Sequence, residues 1–278
     1  MLNFIAMKTK RNQISFIVSI TILSFFIASC GKWRERRDMT TSKDQSLIEG
    51  LMDDVYKIAD NVASATPGIK ILEFGCVDTI VIDTTSNPRS IMLDFGQDNC
   101  VGNDGRVRKG QLHISFTGRY RTPGTTITIV PSDFSIDGYS IFGNKTITNE
   151  GLNSDGFPYF SVGVEAQVVA PNNEWTTSWS STRTRTWVEG YESLLNPNDD
   201  VYHITGAGSG VNRNGIAFTM NIDEALVAKI NCPWIVQGVM TLTPEEGAEK
   251  VINWGNGDCN NGLTVTVGNQ DYPINGGN

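Results

Sequence analysis

Apolar and polar residues alternate with a period of two along most of the chain. The alternation is clearest in TTITIV (125–130), YFSVGVEAQVVA (159–170) and WIVQGVMTLT (234–243), and Gly, Asn and Asp are frequent between such stretches. This pattern is typical of antiparallel strands joined by short turns. It predicts a single all-β domain over residues 67–278, an antiparallel meander of about a dozen strands. A flat sheet of that width would leave a face or an edge bare, so we expect a sandwich, a roll or a coiled sheet.

One segment before the strands has helical periodicity instead. Its apolar residues recur every three or four positions: Leu47, Ile48, Leu51, Met52, Val55, Ile58, Ala59 and Val62. Ser42 is a suitable N-cap, and Pro67 with Gly68 ends the run. We therefore predict an amphipathic helix over residues 42–66, whose apolar stripe packs on one end or one face of the β domain.

The first residues form a third pattern. Lys8, Lys10 and Arg11 precede a mostly apolar run over residues 14–27, followed by Ala28, Ser29 and Cys30. A charged start, an apolar middle and a small-residue exit are typical of a signal peptide, here residues 1–29. A transmembrane helix is the weaker interpretation, because the run is shorter than the ~20 apolar residues that a span needs.

The tetrad Ile27-Ala28-Ser29-Cys30 resembles the lipobox of bacterial lipoproteins. The resemblance implies cleavage before Cys30, acylation of that residue and a lipidated tether over residues 30–41. Several acyl chains are enough for stable membrane attachment. Gly31 stands where many inner-membrane lipoproteins have Asp, so the resemblance favours the outer membrane, with the leaflet left open. The alternative is an ordinary secretory signal in which Cys30 is incidental.

Besides Cys30, the chain has four cysteines: Cys76, Cys100, Cys232 and Cys259. An even number in an exported chain indicates two disulfides, for which three pairings exist. Two residues that face each other across a hairpin are equally far along the chain from its turn. The position midway between Cys76 and Cys100 is Pro88, inside a turn between two strand-like stretches. The position midway between Cys232 and Cys259 lies between Glu245 and Glu246, in another turn. We therefore predict the pairs 76–100 and 232–259, each closing the open end of a β-hairpin.

The two cysteine hairpins also resemble each other in sequence. DFGQDNC (94–100) aligns with NWGNGDC (253–259), and each is followed by an Asn-rich turn and a new strand. This match indicates a duplicated unit of hairpin, bridge and turn.

Composition excludes some functions. The formal net charge is −8 at pH 7, which argues against a nucleic-acid partner, because phosphate binding requires a basic surface. The chain has two histidines, His113 and His203, both in predicted strands, and no motif of a known hydrolase, metalloprotease or phosphate-binding loop. We therefore expect no cofactor.

Three turns are rich in Asn and Asp: residues 98–104, 196–200 and 256–261. Calcium prefers such oxygen ligands, but the spacing of an EF-hand loop is absent. The same residues are frequent in ordinary turns because they tolerate left-handed backbone angles. Turn chemistry is the favoured interpretation, and calcium binding is the weaker one.

The strand WSSTRTRTW (179–187) carries the candidate ligand site. One face presents Trp179, Arg183, Arg185 and Trp187, while Ser and Thr occupy the other. Flat rings beside guanidinium groups suit stacking on sugars or the binding of carboxylates. The alternative is cross-strand cation–π packing that shields a sheet face.

The lipobox together with NPRSIMLDFG, CVGNDGRVRKG, GRYRTPG, STRTRTWVEGY and CPWIVQGVMTL resembles a family of envelope lipoproteins from Bacteroidetes-type bacteria. The resemblance covers residues 70–270 and implies no activity or catalytic residues. We therefore expect a non-enzymatic binding or structural module, anchored in the membrane, with a glycan or an envelope protein as partner. The alternatives are a carrier of lipid or another hydrophobic ligand, and a hydrolase that uses distant Asp and Glu side chains.

Lipidation can be tested on the native protein. We expect mass spectrometry of the protein from its own envelope to find a chain that begins at an acylated Cys30, with the other four cysteines oxidised. An intact leader, or free thiols in that material, would contradict this expectation.

Overall fold

The computed structural model describes residues 38–64, 76–119, 122–193 and 196–275. The chain divides into two units, residues 1–39 and 40–278. The predicted signal peptide and the lipidation site Cys30 lie outside the described residues. The helix and the strands that are described belong to the second unit.

The described chain contains one α-helix, α1 (Thr40–Ser64), and fourteen strands. The strands are β1 (Thr79–Asp83), β2 (Arg89–Asp94), β3 (Cys100–Val101), β4 (Val107–Phe116), β5 (Thr126–Ile136), β6 (Tyr139–Leu152), β7 (Pro158–Val169), β8 (Thr176–Glu189), β9 (Val201–Val211), β10 (Ala217–Lys229), β11 (Ile235–Pro244), β12 (Lys250–Asn256), β13 (Gly262–Val267) and β14 (Gln270–Asn275). Short 3₁₀ turns occur at Pro171–Asn173 and Pro197–Asp199.

All strands belong to one antiparallel sheet. Its order follows the chain from β1 to β14, except that the two-residue β3 pairs only with β4. The predicted all-β fold with one preceding helix is therefore confirmed, with fourteen strands rather than about a dozen. Burial alternates along the central strands, so one face of the sheet is buried and the other is largely exposed.

The helix is buried on nearly all sides. Its apolar residues are covered, as the periodicity predicts, but Ser42, Asp44, Gln45, Glu49 and Asp54 are buried as well. Among the helical side chains that the structure describes, only Lys43 is exposed. An apolar stripe resting on one face of the domain would leave the polar side in water, so this part of the expectation is corrected. No helix in the described part of the chain is long and apolar enough to cross a membrane.

The contacts of α1 require the sheet to coil around it. Asp54 binds Arg108 of β4 at 2.7 Å, whereas Lys57 donates to the carbonyl oxygen of Cys232, between β10 and β11, at 2.7 Å. In a flat sheet, β4 and β10 would be about 29 Å apart, since strands are spaced by about 4.8 Å. Residues 54 and 57 are only about 4.5 Å apart along a helix that is about 10–12 Å wide. Of the three architectures left open, the coiled sheet is the one observed.

Both predicted disulfides are present. Cys76 pairs with Cys100 and Cys232 with Cys259, with Cα–Cα distances of 5.5 and 5.8 Å. The hairpins that they close are β1–β2 and β11–β12. A closed loop of this length constrains the unfolded chain by roughly 3 kcal/mol.

The duplicated sequence unit has the same local geometry in both copies. The side-chain oxygen of Asp94 accepts a hydrogen bond from the Gly96 amide, and that of Asn253 accepts one from the Gly255 amide, each at 2.8 Å. Both glycines have positive φ, and the aromatic residue between each pair is buried. The short side chain turns the backbone, which directs the intervening ring into the core.

Stability of the helix–sheet core can be tested by truncation. Ile58 of α1 is fully buried, so Ile58→Ala should lower the free energy of unfolding by about 2–5 kcal/mol. Ile82 on β1 is about half exposed, so Ile82→Ala should change it by no more than about 0.5 kcal/mol. Chemical denaturation of the disulfide-intact protein measures both, and equal effects would contradict the buried position of the helix.

Candidate functional site

The Trp/Arg face of β8 points inward. Trp179, Arg183, Arg185 and Trp187 are each at most 7% exposed. The interpretation of these four residues as an exposed stacking platform is therefore corrected, and the alternative, cation–π packing on a sheet face, is what the structure contains. These side chains can be buried because α1 supplies the carboxylate of Glu49 and the ring of Tyr56 as partners for the two guanidinium groups. The sequence of β8 alone does not reveal those partners.

Arg183 joins β8 to the helix. Its two terminal nitrogens bind both carboxylate oxygens of Glu49, one of them at 2.7 Å, and Gln45 donates to the same carboxylate at 2.6 Å. The guanidinium carbon lies 4.8 Å from the centre of the Trp179 ring. A bidentate pair of this kind fixes the orientation of both side chains.

Arg185 lies between two tyrosine rings. Its guanidinium carbon is 3.7 Å from the ring centre of Tyr56 on α1 and 3.8 Å from that of Tyr202 on β9. Trp187 stacks on Tyr202 as well, with a centroid distance of 5.5 Å. Desolvated cation–π contacts can contribute about 2 kcal/mol, so this stack stabilises the position of α1 against β8 and β9.

Arginines outside β8 also bind helix carboxylates. Arg108 is held by Asp54 and by Asp104, at 2.7 and 2.5 Å. Burial alone would lower the pKa of Arg108, but these two carboxylates keep it above its ordinary value. Arg213, in the turn after β9, binds Asp44 near the start of the helix and stacks on Trp175.

Among the described cations of this interior, Lys145 of β6 has a pKa far below its ordinary value. Burial, together with the nearby Arg185 and Arg183, lowers the pKa of its amine to about 7, although Asp53 and Glu49 act in the opposite direction. Its Nζ donates to the backbone oxygen of Met52 at 3.0 Å. Burial would raise the pKa of Asp53, but Lys57, Arg185 and Lys145 together hold it below its ordinary value.

The two histidines and the acidic turns do not assemble a site. His113 and His203 are exposed on separate strands. In two of the turns a side chain accepts a backbone hydrogen bond: Asp104 from the Arg106 amide at 3.1 Å and Asn260 from the Gly262 amide at 2.8 Å. Within the described ranges, no group of three or more His, Cys, Asp or Glu side chains could hold a metal ion.

A groove of about 880 Å³ crosses the opposite, outward face of the sheet. It runs over six neighbouring strands, from β6 to β11. Five strand spacings of about 4.8 Å give it a length of about 24 Å. Its outward side chains include Phe142, Glu165, Gln167, Ser180, Val211 and Glu245.

The surface of the groove is mostly apolar and includes one exposed aromatic ring, with hydroxyl, amide and carboxylate groups distributed along it. Phe142 is 45% exposed and lies directly opposite Gln167 on β7, next to the pair formed by Asn144 and Glu165. The charged residues that line it are two carboxylates, Glu165 and Glu245. A flat apolar ring beside amide and carboxylate acceptors is an arrangement that can stack on one face of a sugar and bind its hydroxyl groups.

Comparison with protein-family models, with curated proteins and with solved structures finds no match.

Gly143 shapes the groove next to Phe142. Its φ is +112°, and a side chain there would collide with the Glu165 carbonyl group of the neighbouring strand. Glycine is the residue that adopts this backbone conformation without strain, and its lack of a side chain permits the close approach. A side chain at position 210 would similarly overlap the Phe218 ring, so Gly210 permits a close contact there as well.

The pattern of β6 already indicates that Phe142 faces outward, although Phe142 was not among the residues predicted to bind a ligand. In YSIFGNKTITN (139–149), Phe142 occupies the polar phase of the alternation together with Asn144, Thr146 and Thr148, whereas Ile141, Lys145 and Ile147 are inward. A large aromatic residue in the polar phase of a half-buried strand is a candidate contact residue. The same phase argument shows that Lys145 stands among apolar inward positions.

The ion pair between Arg183 and Glu49 can be tested by mutation. Arg183→Met leaves a buried carboxylate without its cation, so we expect the free energy of unfolding to fall by about 3–5 kcal/mol. The exposed Arg89→Met is the matched control and should change it by no more than about 0.5 kcal/mol.

The double variant Arg183→Met/Glu49→Leu distinguishes charge from packing. Because it removes both charges, it should be more stable than Arg183→Met alone. Chemical denaturation measures the three variants beside the unmodified protein, and a double variant less stable than the single one would show that the charge pair is not the cause.

Proposed function

We propose that the chain is an envelope lipoprotein that binds a neutral glycan chain in the outward groove over β6–β11. In this proposal Cys30 provides the anchor, the outer membrane is the location, and the sheet acts as a binding module rather than as an enzyme. The two disulfides support an oxidising, extracytoplasmic compartment.

The observation that carries the proposal is the exposed Phe142 in a groove lined by hydroxyl, amide and carboxylate groups. The groove is long and open, which suits a polymer that passes through it rather than a small molecule that must be enclosed. Hydroxyl groups of the ligand would pair with Gln167, Ser180 and Glu165, which water otherwise solvates.

The charge of the groove defines the class of glycan. Glu165 and Glu245 are its charged lining residues, so a polyanionic chain would meet like charge. A neutral glycan, or one that carries amino groups, has no such penalty. The overall charge of −8 favours the same choice.

The alternatives have less support. A lipid carrier requires a large apolar interior, whereas α1 occupies the concave side of the sheet and the cavities beside it measure about 30 and 40 Å³. A hydrolase with two carboxylates requires one of them to keep its proton. The helix carboxylates Asp44, Glu49, Asp53 and Asp54 are each bound to a cation.

Affinity electrophoresis tests glycan binding directly. We expect the purified protein to be retarded in gels that contain a neutral polysaccharide, with dextran, xylan and a β-glucan as probes, and not in gels that contain the polyanion alginate. Phe142→Ala should weaken this binding by several-fold to about tenfold, since an aromatic stack contributes about 0.5–1.5 kcal/mol.

Leu152→Ala is the matched control for Phe142→Ala. Leu152 lies on the same strand and is 67% exposed, but it does not line the groove. Its variant should bind like the unmodified protein. Lack of retardation by all three neutral polymers, or equal retardation of the Phe142→Ala and unmodified proteins, would refute the proposal.

A further inference from the structure

A small cavity lies between α1 and the inward face of the sheet. Its volume is about 40 Å³, and its charged lining consists of Glu49, Asp53, Lys145, Arg183 and Arg185. A cavity needs about 10–15 Å³ of this kind of volume to hold one water molecule, so this one has room for a few atoms and not for a metabolite.

Two residues that line this cavity each carry a buried N–H group without a hydrogen-bond partner among the described residues. These groups are the indole Nε1 of Trp179 and the Nε of Arg183. Trp179 is 3% exposed and Arg183 is 7% exposed. Because buried N–H groups are nearly always paired, a species that accepts hydrogen bonds is expected between them. Water and an anion both meet this requirement.

The charge around the cavity distinguishes between water and an anion as its occupant. Four cations line the cavity or bind one of its lining residues: Lys145 of β6, Arg183 and Arg185 of β8, and Lys57 of α1, which binds Asp53. Against them stand two carboxylates, Glu49 and Asp53, both on α1. The Tyr56 ring lies 5.2 Å from the Lys145 amine, and the lining from β7, β9 and β11 is apolar.

The charge around the cavity is therefore positive by two units when Lys145 is protonated, and by one when it is neutral. An anion in the cavity would lower the cost of keeping four cations in a buried space, which a neutral water molecule does much less.

We propose that this cavity is a binding site for a small monovalent anion, with chloride as the probe ion, held between Lys145, Trp179 and Arg183. Lys145 and Arg183 are on the face of the sheet opposite the outward groove, whereas Trp179 borders both the groove and the cavity. Failure of the anion site would leave the glycan proposal untouched.

The protonation of Lys145 links the site to pH. In the folded protein the pKa of Lys145 is lowered to about 7, so the buried charge destabilises the fold below that pH, and the penalty disappears as the pH rises through about 7 toward the ordinary value. A bound anion offsets the same penalty. Stabilisation by chloride should therefore be largest at pH 6 and should decline toward pH 9.

Thermal unfolding of the purified chain tests this site. At pH 6 and constant ionic strength, replacement of sodium gluconate by sodium chloride should raise Tm in a saturable way, by about 3–6 °C when chloride exceeds its Kd tenfold. Lys145→Met should remove the chloride-dependent rise, whereas the exposed Lys109→Met should retain it. The same Tm in both salts would overturn the proposal.

Bromide provides a second measurement that needs no variant. Crystals of the unmodified protein grown in sodium bromide should show an anomalous peak between Lys145 and Trp179. A water molecule there without anomalous signal would refute the anion site, even if Lys145→Met fails to fold.

Discussion

The pairing of helix carboxylates with sheet cations fixes the position of α1 and, through it, the curvature of the sheet. A helix that carries Asp44, Glu49 and Asp54 can be buried only where each carboxylate meets a positive partner, since an isolated charge in a protein interior costs several kcal/mol. Arg213, Arg183 and Arg108 supply those partners from different parts of the sheet. The sheet must therefore coil far enough to bring distant strands to the same helix.

These ion pairs fix the position of α1 on the sheet more than they stabilise the fold. Buried ion pairs lose much of their Coulombic gain to desolvation, but a wrong register would leave both charges unpaired. Because a strand that slips by one residue moves all its inward side chains outward, the cations of β4, β6 and β8 also specify the register of the meander. The two disulfides constrain the hairpins near either end of the sheet, and the ion pairs position the centre.

The enclosed helix also limits the space on the concave side of the sheet. The concave side of the sheet is occupied by α1, and two cavities among the described residues beside it measure about 30 and 40 Å³. The groove over β6–β11 lies on the opposite, outward face. One strand contributes to both places, because β8 directs Arg183 to the helix and Ser180 to the groove.

The all-β class, the single preceding helix and both disulfide pairings can be predicted from the amino-acid sequence alone. These features depend on periodicity and on hairpin spacing, which are local properties of the chain. Long-range packing, in contrast, directs Trp179, Arg183, Arg185 and Trp187 to the interior and Phe142 to the outward face. The period of two shows which side chains share a face of a strand, but it does not show which face is buried when both carry polar residues. That choice depends on Glu49 and Tyr56, more than a hundred positions away along the chain, and distance in sequence hides such partners from any local pattern.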